Sequence, residues 1–274
     1  MPIVSAFLVP GSPLPYVKRD NPPWGKIAAG YEAAGQALAA SKPDVLLVYS
    51  TQWIAVLDQL WQARPRVTGV HVDENWHEYD DLPYDVKIDT KLAKACVSAA
   101  TKAGVKSKAV DYDSFPIDTG TIVAANFLNP GGTISMLIAS NNLYHDFALT
   151  QKLGRIAATQ ARSQKKRVAV IGIGNLSGAF FRGEIDIRKD KLVAPKYDRW
   201  NKKILALMAQ GDVKGLAAAV PGFATDGKAE MGFKHYAWVL GALGGKFAGA
   251  TVHAYGPLYG AGGAVVEFQL KPGQ

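Results

Sequence analysis

The chain has 274 residues, 48% hydrophobic and 20% charged, with a net charge of +8. That length and balance belong to a folded protein with a full apolar core, and they exclude a disordered or low-complexity polypeptide. A single cysteine, Cys96, excludes a disulfide framework and thiolate metal centres, and the dispersed lysines and arginines argue against a nucleic-acid-binding face.

In chain order, the opening stretch MPIVSAFLVPGSPLP has no basic segment before its apolar run and reaches Pro10 and Pro13 early. Neither a signal peptide nor a membrane span is expected there, no other run approaches membrane length, and a cytoplasmic protein is expected. Residues 3–9 predict a strand, followed by the loop PGSPLP at 10–15. Trp24, Ile27, Ala28, Tyr31 and Leu38 then form one helical stripe between Pro23 and Pro43. Further strands are predicted at 44–50, 67–72, 133–140, 167–174, 251–255 and 264–270, and further helices at about 89–103, 146–163, 197–210 and 230–243. Cys96 falls inside the first of these helices, where it reads as a small core residue.

Strands alternating with helices predict one α/β domain over residues 1–274, with a mainly parallel sheet flanked by helices on both faces. The last two strands, joined by GPLYGAG, predict a hairpin and hence a partly mixed sheet. No internal repeat or linker divides the chain. Ligands of such sheets gather where strands hand over to loops, which here are PGSPLP, STQW at 50–53, SNNLYH at 140–145 and GNLSGAF at 174–180.

Several local patterns carry less than they suggest. VIGIGNLSG places Gly172, Gly174 and Gly178 after a strand, but the third glycine comes one residue late for a dinucleotide loop. Ser12, Ser50 and Ser177 lie in no nucleophile elbow. In HVDENWHEY, His71 and His77 flank Asp73 and Glu74, but the spacing matches no known metal motif and a polar surface loop is the better reading. His235 reads as a hydrogen-bonded structural histidine on a helix. If the final hairpin pairs 255 with 263, His253 and Glu267 share a face as diagonal neighbours, more often a structural pair than a catalytic one.

Taken together, VSAFLVPG, KPDVLLVYSTQW, GVHVDENW, FPIDTGT, SNNLYH, MGFKH, WVLGALGGKF and YGPLYG give the chain an end-to-end resemblance to the class III extradiol ring-cleavage dioxygenases. It is most similar to the α-type chains of two-subunit members that cleave 2-aminophenol. The resemblance implies an α2β2 assembly in which a paralogous β subunit binds Fe(II) and opens the ring with O2. Catalytic members hold Fe(II) with two histidines and a glutamate, a facial triad with open positions. At the matching positions this chain has Gly11 in Pro10-Gly11-Ser12-Pro13, Gln52 in Tyr49-Ser50-Thr51-Gln52-Trp53, and Glu267 in AVVEF. The family's acid/base histidine is matched by Gly178.

A glycine offers iron no side chain, and an amide is a poor substitute for imidazole. The resemblance therefore implies no metal, no cofactor and no catalytic residue on this chain, only a degenerate site, with Gln52 a natural donor to Glu267. The chief expectation is a non-catalytic subunit that stabilises an iron-bearing partner and associates within the α2β2 assembly, away from nucleic acid and membrane. Two alternatives stay open: an enzyme that reuses a pocket around His145, His253 and Glu267, or a binder of small molecules in the vacated cleft.

Overall fold

The computed structural model describes residues 2–272. The first half of the chain contains β1 (Ile3–Val9), α1 (Leu14–Val17), α2 (Pro22–Ser41), β2 (Val45–Ala55), β3 (Gln59–Gln62), β4 (Arg66–His71), β5 (Leu82–Lys87), α3 (Thr90–Lys102), β6 (Ser107–Val110) and α4 (Thr119–Leu128). The second half contains β7 (Ser135–Asn142), α5 (Phe147–Ser163), β8 (Val168–Ile173), α6 (Pro195–Ala209), α7 (Val213–Thr225), α8 (Lys234–Ala242), β9 (Gly249–Leu258) and β10 (Ala261–Gln269).

Eight strands form one sheet in the order β6-β3-β7-β2-β8-β1-β10-β9. The middle four, β7, β2, β8 and β1, are parallel. β10 runs antiparallel to β1, and β9 antiparallel to β10. The sheet is therefore mixed, as the hairpin at the end of the sequence predicts, while β4 and β5 pair apart from it as a two-stranded ribbon. Among the described residues no helix is long and apolar enough to cross a membrane.

The apolar runs are continuous because both faces of the sheet are covered. Along β2, Val45, Leu47 and Tyr49 enter one core with α3, α5, α6, α7 and α8, whereas Leu46 and Val48 enter the other with α2, α4 and the ribbon. Trp238 of α8 anchors the first core, its ring stacked 5.6 Å from Tyr49. Tyr31 of α2 anchors the second, stacked 4.4 Å from Phe127. Helices α5 and α8 cross so closely that a Cβ on Gly241 would lie 1.9 Å from the Gln151 carbonyl oxygen, so only glycine fits there.

The hairpin is tighter than expected. Tyr259 (φ 53°) and Gly260 (φ 92°) alone make its turn, the two left-handed residues of a type I′ connection. Glu267 faces Thr251, as a 255–263 pairing requires, but nearer the turn Tyr255 faces Ala264. His253 is the extra residue of the bulge between these registers.

Candidate functional site

The chain leaves β1 for α2 on one face and leaves β8 for α6, α7 and α8 on the other. Such a divergence opens a crevice at the carboxyl ends of the strands, the usual place for a ligand. Gly11 follows β1, Thr51 and Gln52 come from the far end of β2, and Asn175 and Gly178 follow β8.

Gly11 and Gln52 are in direct contact. The Gln52 amide donates to the Gly11 carbonyl at 3.1 Å, and a Cβ on Gly11 would come within 2.7 Å of the same Nε2. Gln52 thus fills the space that a side chain at position 11 would need. Its other amide atom faces the first turn of α4, where a Cβ on Gly120 would stand 3.1 Å from Oε1. The wall behind it is polar: Ser50 Oγ donates to Asp118 Oδ1 at 2.5 Å, and Asp118 caps α4 by accepting from the Thr121 N–H at 3.0 Å. Burial raises the Asp118 pKa, against the hydrogen bonds from Ser50 and Thr121.

Glu267 does not belong to this crevice, contrary to the position that the resemblance implies for it. It faces Phe7 across the β1/β10 ladder, and Gly11 lies four residues beyond Phe7. At ~3.3 Å per residue that puts Glu267 about 13 Å away along the sheet. Its carboxylate is bound by His253 Nε2 at 2.8 Å, not by Gln52. Matching the family's glutamate to AVVEF misled; the bulge at His253 supplies Glu267 with its partner locally.

The carboxylate that does stand in the crevice is that of Glu230. It lies in a one-turn 3-10 segment, Glu230–Phe233, ahead of α8. It accepts from Thr51 Oγ1, from the Asn175 N–H at 3.1 Å and from Asn175 Nδ2 at 2.8 Å. A Cβ on Gly178 would come within 3.3 Å of the Glu230 Cβ, so Gly178 also belongs to this corner. Burial of the carboxylate raises its pKa, and these donors oppose the rise. Three left-handed residues follow it: Met231 (φ 46°), Gly232 (φ 66°) and Phe233 (φ 65°). Two of them are not glycine, and such strain is found where a side chain must be aimed.

The pocket imagined around His145, His253 and Glu267 is not assembled. His145 follows β7, and the strand order puts β2, β8 and β1 between β7 and the hairpin that carries the other two. At ~4.8 Å per strand the separation is on the order of 20 Å. His145 sits instead near Lys234; its pKa is lowered by burial first and by that cation second.

His235 departs from its expected hydrogen-bonded role. It is fully buried, both ring nitrogens lack a partner, and a Cβ on Gly174 would lie 2.8 Å from its Nδ1. Burial pushes its pKa down to about 3, so the ring is neutral in the folded chain. The unfolded chain, with an ordinary histidine, binds the extra proton below pH ~6.5, and stability therefore falls as pH drops through the interval from ~6.5 to 3. At ~1.4 kcal/mol per pH unit, the stability of wild type relative to His235→Leu is expected to drop by about 2 kcal/mol from pH 7 to pH 5. Urea unfolding of both proteins at the two pH values measures it, and a difference that does not change with pH would mean that the folded ring takes up a proton as readily as the unfolded one.

The chain matches the family described as the catalytic LigB subunit of aromatic ring-opening dioxygenase over residues 6–268. The chain belongs to the LigB family. It is 51% identical over 271 residues to a 2-aminophenol 1,6-dioxygenase alpha subunit from a Pseudomonas species, covering 98% of this chain and 100% of that one. It is 28% identical over 288 residues to a 2-aminophenol 1,6-dioxygenase beta subunit, also from a Pseudomonas species, covering 98% and 94%. A 3,4-dihydroxyphenylacetate 2,3-dioxygenase from Escherichia coli is 23% identical over 79% of each chain. The fold also matches the crystal structure of an uncharacterised protein from Escherichia coli K12, with a TM-score of 0.67 and 16% identity over 96% of this chain and 99% of that one.

Membership in the family does not supply iron ligands. The groups facing the crevice are a backbone carbonyl at Gly11, the amide of Gln52 and one buried carboxylate at Glu230. Among the described residues no histidine is hydrogen-bonded to Gly11, Gln52 or Glu230: His71 is bonded to Thr119 at the first turn of α4, His235 is fully buried against Gly174, His145 follows β7 on the other side of β2, and His253 is bonded to Glu267. That donor set does not fit the two-histidine, one-carboxylate iron centre.

Proposed function

We propose that this chain is the iron-free, α-type subunit of an α2β2 extradiol dioxygenase acting on 2-aminophenol or a related aromatic. Fe(II) and ring cleavage belong to a paralogous β subunit, and the complex works in the cytoplasm. The observation that carries this reading is the contact between Gln52 and Gly11: one ligand position has no side chain, and the other is filled by an amide that occupies the missing group's space. The 51% identity to a chain named as an alpha subunit supports the same assignment. The degenerate site consists of Gly11, Gln52 and Gly178, as the resemblance implies, with Glu230 taking the part first given to Glu267.

A ligand-binding role for the vacated crevice is less well supported, because Gln52 plugs it. Two open surface cavities lie elsewhere: one of about 250 Å³ beside Tyr84, Asn126 and Gly132, and one of about 230 Å³ beside Ile3, Arg155 and Lys246.

Expression with and without a paralogous β subunit tests the proposal. Alone, the chain is expected to take up no stoichiometric Fe(II) after anaerobic reconstitution, to show no ring cleavage, and to aggregate or self-associate through its uncovered interface. Permanent hetero-complexes usually bury more than about 2,000 Å², much of it apolar. Together, the two chains should co-purify with one iron per αβ pair and cleave 2-aminophenol. About one iron per chain in the isolated protein, or an isolated chain that is a well-behaved monomer, would sink the subunit assignment.

A further inference from the structure

We infer that His71, Asp73 and Glu74 form a divalent-cation site of the zinc class at the end of the β4–β5 ribbon. One ligand atom from each of the three lies within 4.8 Å of the other two. The local chain explains the convergence. His71 is the last residue of β4, and the side chain two residues on, that of Asp73, falls on the same side of an extended chain. Asp73 Oδ1 then accepts from the Asn75 N–H at 2.9 Å and the Trp76 N–H at 3.1 Å, and the turn so formed brings Glu74 back toward the histidine.

Charge and orientation give two further reasons. Asp73 is only 8% exposed, and among the described residues neither it nor Glu74 is ion-paired with any lysine or arginine. A buried carboxylate normally pairs with a cation or coordinates one. His71 is also held by a second group: its Nε2 is 2.8 Å from Thr119 Oγ1. With Nε2–H donating to that hydroxyl, Nδ1 carries the free lone pair, which is how a second group commonly fixes the tautomer of a metal-binding histidine.

The donor set selects the cation. One imidazole and two carboxylates suit Zn²⁺ or another borderline divalent ion, whereas Ca²⁺ and Mg²⁺ favour all-oxygen shells. Ligands ~2.0–2.2 Å from zinc lie about 3.5 Å from one another, so separations of up to 4.8 Å must close by up to about 1.3 Å, and Glu74 is the side chain best placed to move. It is exposed and free to do so. Three protein ligands leave one position for water. Through Thr119, a bound cation would brace the first turn of α4 and so the wall that Gln52 packs against. The inference is independent of the subunit proposal.

Zn²⁺ titration of the full-length, chelator-treated chain tests it, with Co²⁺ as a spectroscopic substitute and Trp76, two residues from Glu74, as the fluorophore that Co²⁺ quenches. One Zn²⁺ per chain is expected. His71→Ala and Asp73→Asn should weaken binding at least tenfold, as should Thr119→Val if the imidazole is oriented as described, since such supporting groups are typically worth 10–100-fold. Asp73→Asn keeps the turn's acceptor, and Glu74→Gln changes only an exposed side chain, so at least one ligand variant should fold; melting in excess chelator identifies it. His253→Ala, which removes the separate pair with Glu267, should change nothing. No bound Zn²⁺, Zn²⁺ retained in the folded His71, Asp73 or Glu74 variants, or Zn²⁺ lost with His253→Ala overturns the assignment.

Discussion

Gly11→His combined with Gln52→His is expected to give a chain that binds about one Fe(II) where the wild type is expected to bind none, with neither single substitution sufficient. The reason is partly chemical: two protein ligands make a weak site, and three facing one point make a facial triad. It is also steric, because a Cβ at position 11 meets Gln52 Nε2 at 2.7 Å. Gly11→His alone must displace that amide and break its hydrogen bond to the Gly11 carbonyl, overpacking worth ~1–3 kcal/mol of stability. The third ligand decides between the two glutamates. In the double variant, Glu230→Gln should abolish iron binding, and Glu267→Gln should leave it intact. The opposite result would put Glu267 back in the site and show that the crevice has been misread. Ring cleavage should remain slow, because Gly178 supplies no acid or base; adding Gly178→His should raise the rate by something like 100-fold. Iron content and steady-state cleavage of 2-aminophenol measure both.

The strands at 3–9, 133–140 and 167–174 and the stripe of α2 were legible because each carries its own periodicity or a long apolar run. The elements that escaped lack one. Helix α4, TGTIVAANFL, is buried nearly throughout, so it has no polar face against which a 3.6-residue period could register. β3 and β6 are four residues each, and β5 contains Pro83. Helix α7 carries Pro221 and two glycines, all marks of a loop.

Of the proposed site, one half was legible. Gly11 and Gln52 sit at strand ends, where topology alone directs attention, and the structure brings them together. Glu230 carried no such mark. It opens the predicted helix 230–243, and an acidic residue in a first turn is ordinary helix chemistry. What lifts it out of the helix is a run of left-handed residues that includes Met231 and Phe233, a conformation no propensity assigns to those side chains. Its position immediately before MGFKH, one of the motifs that carry the resemblance, was the one available signal.

Replacing Glu230 with alanine is expected to destabilise the chain by about 3 kcal/mol, and replacing it with glutamine to cost less than about 1 kcal/mol at neutral pH. The carboxylate accepts from Thr51 Oγ1, the Asn175 N–H and Asn175 Nδ2, and alanine leaves these donors in a largely enclosed corner with only whatever water can enter. Glutamine retains an acceptor for Asn175 and can donate to Thr51 in place of accepting from it. It also removes a charge that burial disfavours. Because the folded pKa of Glu230 is raised above its unfolded value of ~4.5, the folded chain binds the extra proton between the two values. The group's contribution is therefore fully present below ~4.5 and is lost as pH rises through the folded pKa. Glu230→Gln should accordingly gain stability relative to wild type as pH is raised across that interval, opposite in sign to the change that His235 produces. Denaturant unfolding of wild type, Glu230→Ala and Glu230→Gln between pH 4 and pH 8 separates the effects. If glutamine costs as much as alanine, the charge itself holds this corner together, and Glu230 is a paired structural anion, not the residue of a vacated iron site.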